Sequence, residues 1–145
     1  MKRYTVGYIF TSNYGKVLLM TKNRPDWQVG KLNGIGGKIE AGESDLAAMV
    51  RECHEESALV IPEDQWTTIC VMSGSDWEVI FLAALWPGSK SDAQSVTDEP
   101  VAWYETNNLP SNVIANLRWQ IPLAISWLKG EDALEDVRVR YGDRR

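Results

Sequence analysis

Apolar and polar positions change period several times along the chain, and each change predicts an element. Tyr4 to Thr11 (YTVGYIFT) and Lys16 to Met20 (KVLLM) are dense in strand formers and flank the turn sequence Ser12-Asn13-Tyr14-Gly15, which predicts a hairpin. Residues 23–34 (NRPDWQVGKLNG) carry Pro25, Gly30 and Gly34 and read as irregular. Asp45 to Ser57 contains no Pro or Gly, and Leu46, Met49, Val50 and Cys53 fall on one stripe at ~100° per residue. This predicts a helix with Ser44 as N-cap and Asp45 in the first turn, where a negative charge suits the helix dipole. Leu59 to Ile61 reads as a short strand closed by Pro62. Residues 66–73 and 77–85 read as two strands joined by the turn Gly74-Ser75-Asp76. A polar loop leads to a strand at Val101 to Tyr104. A long helix is expected over Asn112 to Lys129, capped by Ser111 and kinked or restarted at Pro122. Its stripe of Ile114, Leu117, Ile121, Ile125 and Leu128 should cover one face of the sheet, with Trp119 and Trp127 in the core. A last strand is open at Val137 to Val139.

Composition narrows this picture only slightly. The 145 residues are 44% hydrophobic and 24% charged, which suits one globular domain over residues 1–145. No apolar run approaches membrane-spanning length, and the first residues lack a signal-peptide pattern, so no membrane partner and a cytoplasmic location are expected. Cys53 and Cys70 lie in apolar contexts and read as buried free thiols. A net charge of −5 argues against a stable nucleic-acid partner, whose footprint is a basic patch. It leaves room for a phosphorylated small molecule that meets the acids through a metal.

The chemistry concentrates in Gly36 to Leu59, GGKIEAGESDLAAMVRECHEESAL. On a helix, Glu52, Glu55 and Glu56 fall within an arc of roughly 100° beside the apolar stripe. Like charges so placed cost a few tenths of a kcal/mol each. A hard divalent cation turns that cost into binding, because Mg²⁺ takes carboxylate oxygens. Gly37, Glu43 after five residues, then Arg51-Glu52-Cys53-His54-Glu55-Glu56 after seven more, and Leu59 beyond, resemble the Nudix box. Six positions match strictly; at ~6% usage per residue this arises by chance on the order of 10⁻⁷ to 10⁻⁸ per starting point. Cys53 takes an apolar position, a mild change. Ala58 replaces the family's last glycine and bears on the helix exit, where a left-handed residue favours Gly.

The resemblance implies the Nudix fold, an α/β/α sandwich with a mixed central sheet. It implies a metal-dependent pyrophosphohydrolase acting on a nucleoside diphosphate linked to some group X. The expected substrates are (deoxy)nucleoside triphosphates, with oxidised ones such as 8-oxo-dGTP as one option, cleaved to the monophosphate and pyrophosphate. Mg²⁺, with Mn²⁺ as substitute, would be held by Glu52, Glu55, Glu56, the Gly37 carbonyl and Glu99, the last resembling a D-E-x-x-x-x-W-type segment before a strand, with Trp103 four residues later; Glu78 competes with Glu99 for that place. Glu52, Glu55 or Glu56 would act as base, and Glu43 would pair with Arg51 to orient the helix. For either Glu99 or Glu78 a solvated strand-end residue is the alternative.

The stretch Leu32-Asn33-Gly34-Ile35-Gly36-Gly37-Lys38 also resembles pool-cleaning members of that family. Trp27 is read as a stacking surface, Asn33 as a base-edge contact, Lys22 and Lys38 as cations near phosphate, and Asn116 as a second base contact. The plain alternatives are a surface loop with a half-buried Trp, solvated lysines, and an ordinary helix residue. His54, at the free position of the box, reads as an exposed side chain, with a general base as the alternative. Rival readings keep the chemistry but change X to ADP-ribose, a dinucleotide or a nucleotide sugar, or make the chain a non-catalytic nucleotide sensor. A monomer or a homodimer is expected.

Overall fold

Strands β1 (Lys2–Thr11) and β6 (Trp77–Trp86) pair in parallel from Lys2↔Trp77 to Thr11↔Trp86 and form the spine of the sheet. The computed structural model describes residues 1–131 and 133–143; the tail residues Asp132, Arg144 and Arg145 lie outside it. β2 (Lys16–Thr21) folds back on β1 as the expected hairpin, with Ile9 opposite Leu18. β1 and β2 then part. β1 takes β4 (Ile35–Lys38) as partner over Tyr4 to Gly7, and β2 takes β3 (Leu32–Asn33) over Met20 and Thr21. The segment expected as irregular thus ends in two short strands set into the fork. β5 (Thr67–Ser73) pairs with β6, β7 (Val101–Glu105) with the other edge of β2, and β8 (Arg138–Arg140) runs parallel to β5.

The strands carry near-continuous apolar runs because both faces of the sheet are covered. Ile9, Leu18, Leu82 and Ala84 pack on Ala48, Met49 and Cys53 of helix α1 (Asp45–Ser57). Tyr8, Phe10, Leu19 and Phe81 pack on Leu117, Ile121 and Ala124 of helix α2 (Leu117–Lys129). Burying a side chain such as Met49 stabilises by about 1.5–3 kcal/mol. A bulge between Thr68 and Cys70 turns the consecutive Ile69 and Cys70 to the same α2 side. The result is the expected α/β/α sandwich.

Three sequence expectations are corrected. Leu59 to Ile61 is no strand: Leu59 and Ile61 are buried against α1, but the Leu59 N–H goes to Ser57 Oγ. α2 starts at Leu117 instead of Asn112, preceded by Asn116 and not capped by Ser111. Residues 112–114 serve the sheet instead, exchanging backbone bonds with Leu32, as the extended preference of β-branched Val113 and Ile114 favours. Trp119 is 39% exposed, outside the core stripe. Pro122 lies inside a helix that continues through it.

α1 matches its expected bounds. Ser44 accepts from Ala47 N, and the exit at Ala58 is left-handed, with φ 66° and ψ −2°. Ala58 therefore takes the conformation that usually calls for glycine, at a cost of about 1 kcal/mol. Among the described residues no helix is long and apolar enough to cross a membrane.

Candidate functional site

The site begins where β4 lies against β1. A Cβ on Gly36 would stand 1.8 Å from the Thr5 carbonyl oxygen, so only glycine fits that approach. A Cβ on Gly37 would stand 2.4 Å from Glu52 Oε1, which puts the Glu52 carboxylate directly over the Gly37 backbone. Arg51 ties this loop to α1. Its Nε and one terminal nitrogen grip Glu43 at 2.7 and 2.8 Å, and that same terminal nitrogen donates to the Lys38 carbonyl at 3.2 Å. The other terminal nitrogen donates to Glu52 at 3.0 Å and Glu55 at 3.3 Å. The Arg51 fork holds the Glu43 carboxyl down at about 2, with a further backbone bond from Glu40. Arg51 itself is pushed up, chiefly by Glu43.

Glu56 is the unusual member. It is only 7% exposed, and its Oε1 has no hydrogen-bond partner. Burial pushes its carboxyl up to about 8, reinforced by a hydrogen bond with Glu52 and by the Glu52 charge; Lys22 pulls it down and Glu99 pushes it up. Glu99 lies in the loop before β7, near enough for its charge to act on Glu56, whereas Glu78 is bound to Arg3 Nε at 3.1 Å. Glu99 is buried and already engaged. It accepts from the Asn23 N–H at 2.7 Å and from Lys22 Nζ at 3.3 Å, with Arg24 at 3.4 Å. Glu55 and His54 are turned outward on α1.

The neutral residues form a second group. Trp27 sits on a short 3₁₀ turn, Asp26–Gln28, and is 63% exposed. Asn33 Nδ2 donates to Gln28 Oε1 at 3.2 Å, and its Oδ1 accepts from Gly34 N at 2.8 Å. Asn116 Nδ2 donates to Gln120 Oε1 at 2.9 Å. Gln120 is fully buried, accepts from Tyr8 Oη, and donates to Met72 Sδ at 3.2 Å. Lys38 is exposed at the end of β4, while Lys22 lies on Glu99.

With this geometry in place, the comparison that decides the family is the match of a NUDIX domain model to residues 1–127. The chain belongs to the NUDIX family. Solved structures agree with the fold. The MutT NUDIX hydrolase of Burkholderia pseudomallei superposes with a TM-score of 0.70 at 21% identity, over 84% of this chain and 96% of that one. A NUDIX hydrolase of Nitrosomonas europaea gives 0.73 at 15% identity, over 97% and 79%. The NUDIX domain of Shewanella oneidensis NrtR, in complex with ADP ribose, gives 0.69 at 20% identity, over 87% of each. No curated protein gives a sequence match.

Nudix hydrolases generally use divalent metal ions. Among the described residues no three acidic, histidine or cysteine side chains already stand together as a ligand set. Glu55 is drawn onto Arg51 and Glu99 onto Lys22. The remaining donors nevertheless suit a hard cation: the orphaned Glu56 Oε1, the Glu52 carboxylate, and the Gly37 backbone that a side chain would have covered. A groove of about 670 Å³ lies at the far end of β1, between the hairpin turn and Gly88 to Lys90, away from these acids.

Sequence reasoning missed the residues behind the site. Gln120 was legible as a polar residue inside an apolar stripe, which a buried position requires to be bonded. Asn23, Arg24 and Gln28 carried no such signal.

Proposed function

We propose that this Nudix hydrolase is a nucleoside triphosphate pyrophosphohydrolase that releases a nucleoside monophosphate and pyrophosphate. The observation that carries the reading is the buried, unpartnered Glu56 carboxylate oxygen beside Glu52, above a glycine backbone. Such a group is costly without a cation and productive with one. Glu52, Glu56 and the Gly37 carbonyl, joined by Glu99 and by Glu55 at the rim, would hold Mg²⁺ or Mn²⁺. The bound metal supplies charge neutralisation at the pyrophosphate and a more acidic water.

The chain's own residues do the rest. Arg51 locks Glu43, Glu52 and the Lys38 carbonyl into one body, so the carboxylates keep their aim. Glu52 or Glu56 takes the proton of the attacking water as one P–O bond of the pyrophosphate link is exchanged for a bond to water oxygen. Trp27 offers an exposed ring on which a base stacks, and Asn33 and Asn116 offer amides to its edge. Lys22 and Lys38 meet phosphate oxygens. The two buried free thiols suit a reducing compartment, and we place the activity in the cytoplasm, as pool sanitation.

The test is a phosphate and pyrophosphate release screen with Mg²⁺ over standard dNTPs and NTPs, 8-oxo-dGTP, ADP-ribose, NADH and a diadenosine polyphosphate, with and without chelator. The expected result is pyrophosphate from one triphosphate, abolished by chelator. Preference for ADP-ribose or a dinucleotide would overturn the substrate class. Binding without any turnover would make the chain a sensor.

A further inference from the structure

Lys22 is placed unlike the other cations near the site. Its side chain is only 14% exposed, and its Nζ lies 3.2–3.3 Å from both oxygens of the buried Glu99. Its charge also reaches Glu56, whose Oε1 is without a partner. Resting on the cation site proposed above, we propose that Lys22 is a resident counter-ion. It is parked on Glu99 while no divalent cation is bound, and it is released toward the substrate's phosphates when a cation takes Glu99.

Three features of the geometry support the exchange. The Lys22 backbone is fixed on both sides, its N–H on the Lys31 carbonyl and its carbonyl on Gly30 N, both at 2.8 Å. Only the four-carbon stem is therefore free to move, and an ammonium on that stem is a mobile point charge. Glu99 does not depend on Lys22 for its position. The Asn23 N–H at 2.7 Å, the Arg24 N–H at 3.4 Å and the Arg24 guanidinium still hold it, and Thr21 N to Pro100 O at 2.9 Å joins the two segments. Finally, an ammonium and a divalent cation on one carboxylate repel each other at short range in a poorly solvated place. The ammonium, once displaced, needs a new anion, and the pyrophosphate of a nucleotide supplies one. Metal and substrate binding are then coupled through one side chain.

Amine labelling of the wild-type chain, read by mass spectrometry with and without saturating Mg²⁺, tests this directly. Acetylation of Lys22 should speed up several-fold with Mg²⁺, while Lys31 and Lys90 stay constant. Mn²⁺ binding followed by electron paramagnetic resonance supplies the second readout. Lys22→Met should bind Mn²⁺ about tenfold tighter than wild type, and the gain should vanish when Glu99→Gln is added. Unchanged Lys22 labelling in a chain that binds Mn²⁺, or a Lys22→Met chain with wild-type Mn²⁺ affinity, would overturn the inference alone. A wild-type chain that binds no Mn²⁺ would overturn it together with the cation site.

Discussion

The acidic side of the site and its neutral side are built on different principles. Around α1 and β4 the groups are charged, close and interlocked. One arginine holds three carboxylates and a carbonyl, and a buried glutamate is left with an oxygen to spare. Around Trp27, Asn33 and Asn116 the groups are neutral, and each amide is occupied by a neighbour of its own. The contrast teaches where the two kinds of information reside. Cation chemistry demands carboxylates at helical spacing, so it is written in residue type and interval. Base selection demands oriented amides, so it is written in the residues behind them, such as Gln28 and Gln120.

The largest effect should come from breaking the acidic side. Glu56→Gln keeps the shape, removes the charge, and should lower turnover by orders of magnitude; wild-type turnover would remove Glu56 from the cation site. Its stability consequence differs from that of a surface acid, because Glu56 is buried. In the metal-free chain the Glu56 carboxyl titrates near 8 against an ordinary 4.5. A raised carboxyl favours the protonated folded form, so stability is full below about pH 4.5 and falls as pH rises through about 8. Denaturant melts in chelator across that window should show the decline, Mg²⁺ should reverse it, and Glu56→Gln should flatten it.

The neutral side should respond more gently. Trp27→Ala should raise KM by about 5- to 150-fold, since base stacking is worth ~1–3 kcal/mol, with kcat and stability held. An unchanged KM would remove the ring from the pocket. The smallest effect belongs to neither side: Ala58→Gly should stabilise by about 0.5–1 kcal/mol in denaturant melts, because it relieves a left-handed alanine at the end of α1.

The comparison also explains what was legible beforehand. α1, with its cap and its stripe, could be read to the residue because its local signals agree with its packing. The hairpin and the β5–β6 pair were equally plain. The start of α2 was not, because Ile114 continues the helical stripe of Leu117 and Ile121, yet residues 112–114 bond to Leu32 in the sheet. Leu59 and Ile61 alternate like a strand and are buried, but among the described residues they pair with no strand. In the site, the box residues were visible by spacing alone. That Glu56 is buried, that Glu99 is held by Lys22, and that Glu78 belongs to Arg3 depend on long-range placement.

The two adjacent glycines of β4 have a consequence for strand alignment. Sliding β4 by one residue along β1 in one direction would bring the Ile35 side chain onto the Thr5 carbonyl, where even a Cβ comes to 1.8 Å. Sliding it the other way would bring the Lys38 side chain into the space above Gly37 that the Glu52 carboxylate fills. Either slip would also turn Ile35 out of the core, because strand side chains alternate between faces. The glycine pair thus works as a ruler. It admits one alignment of the loop, and so one height of the Gly37 carbonyl beneath the acids of α1.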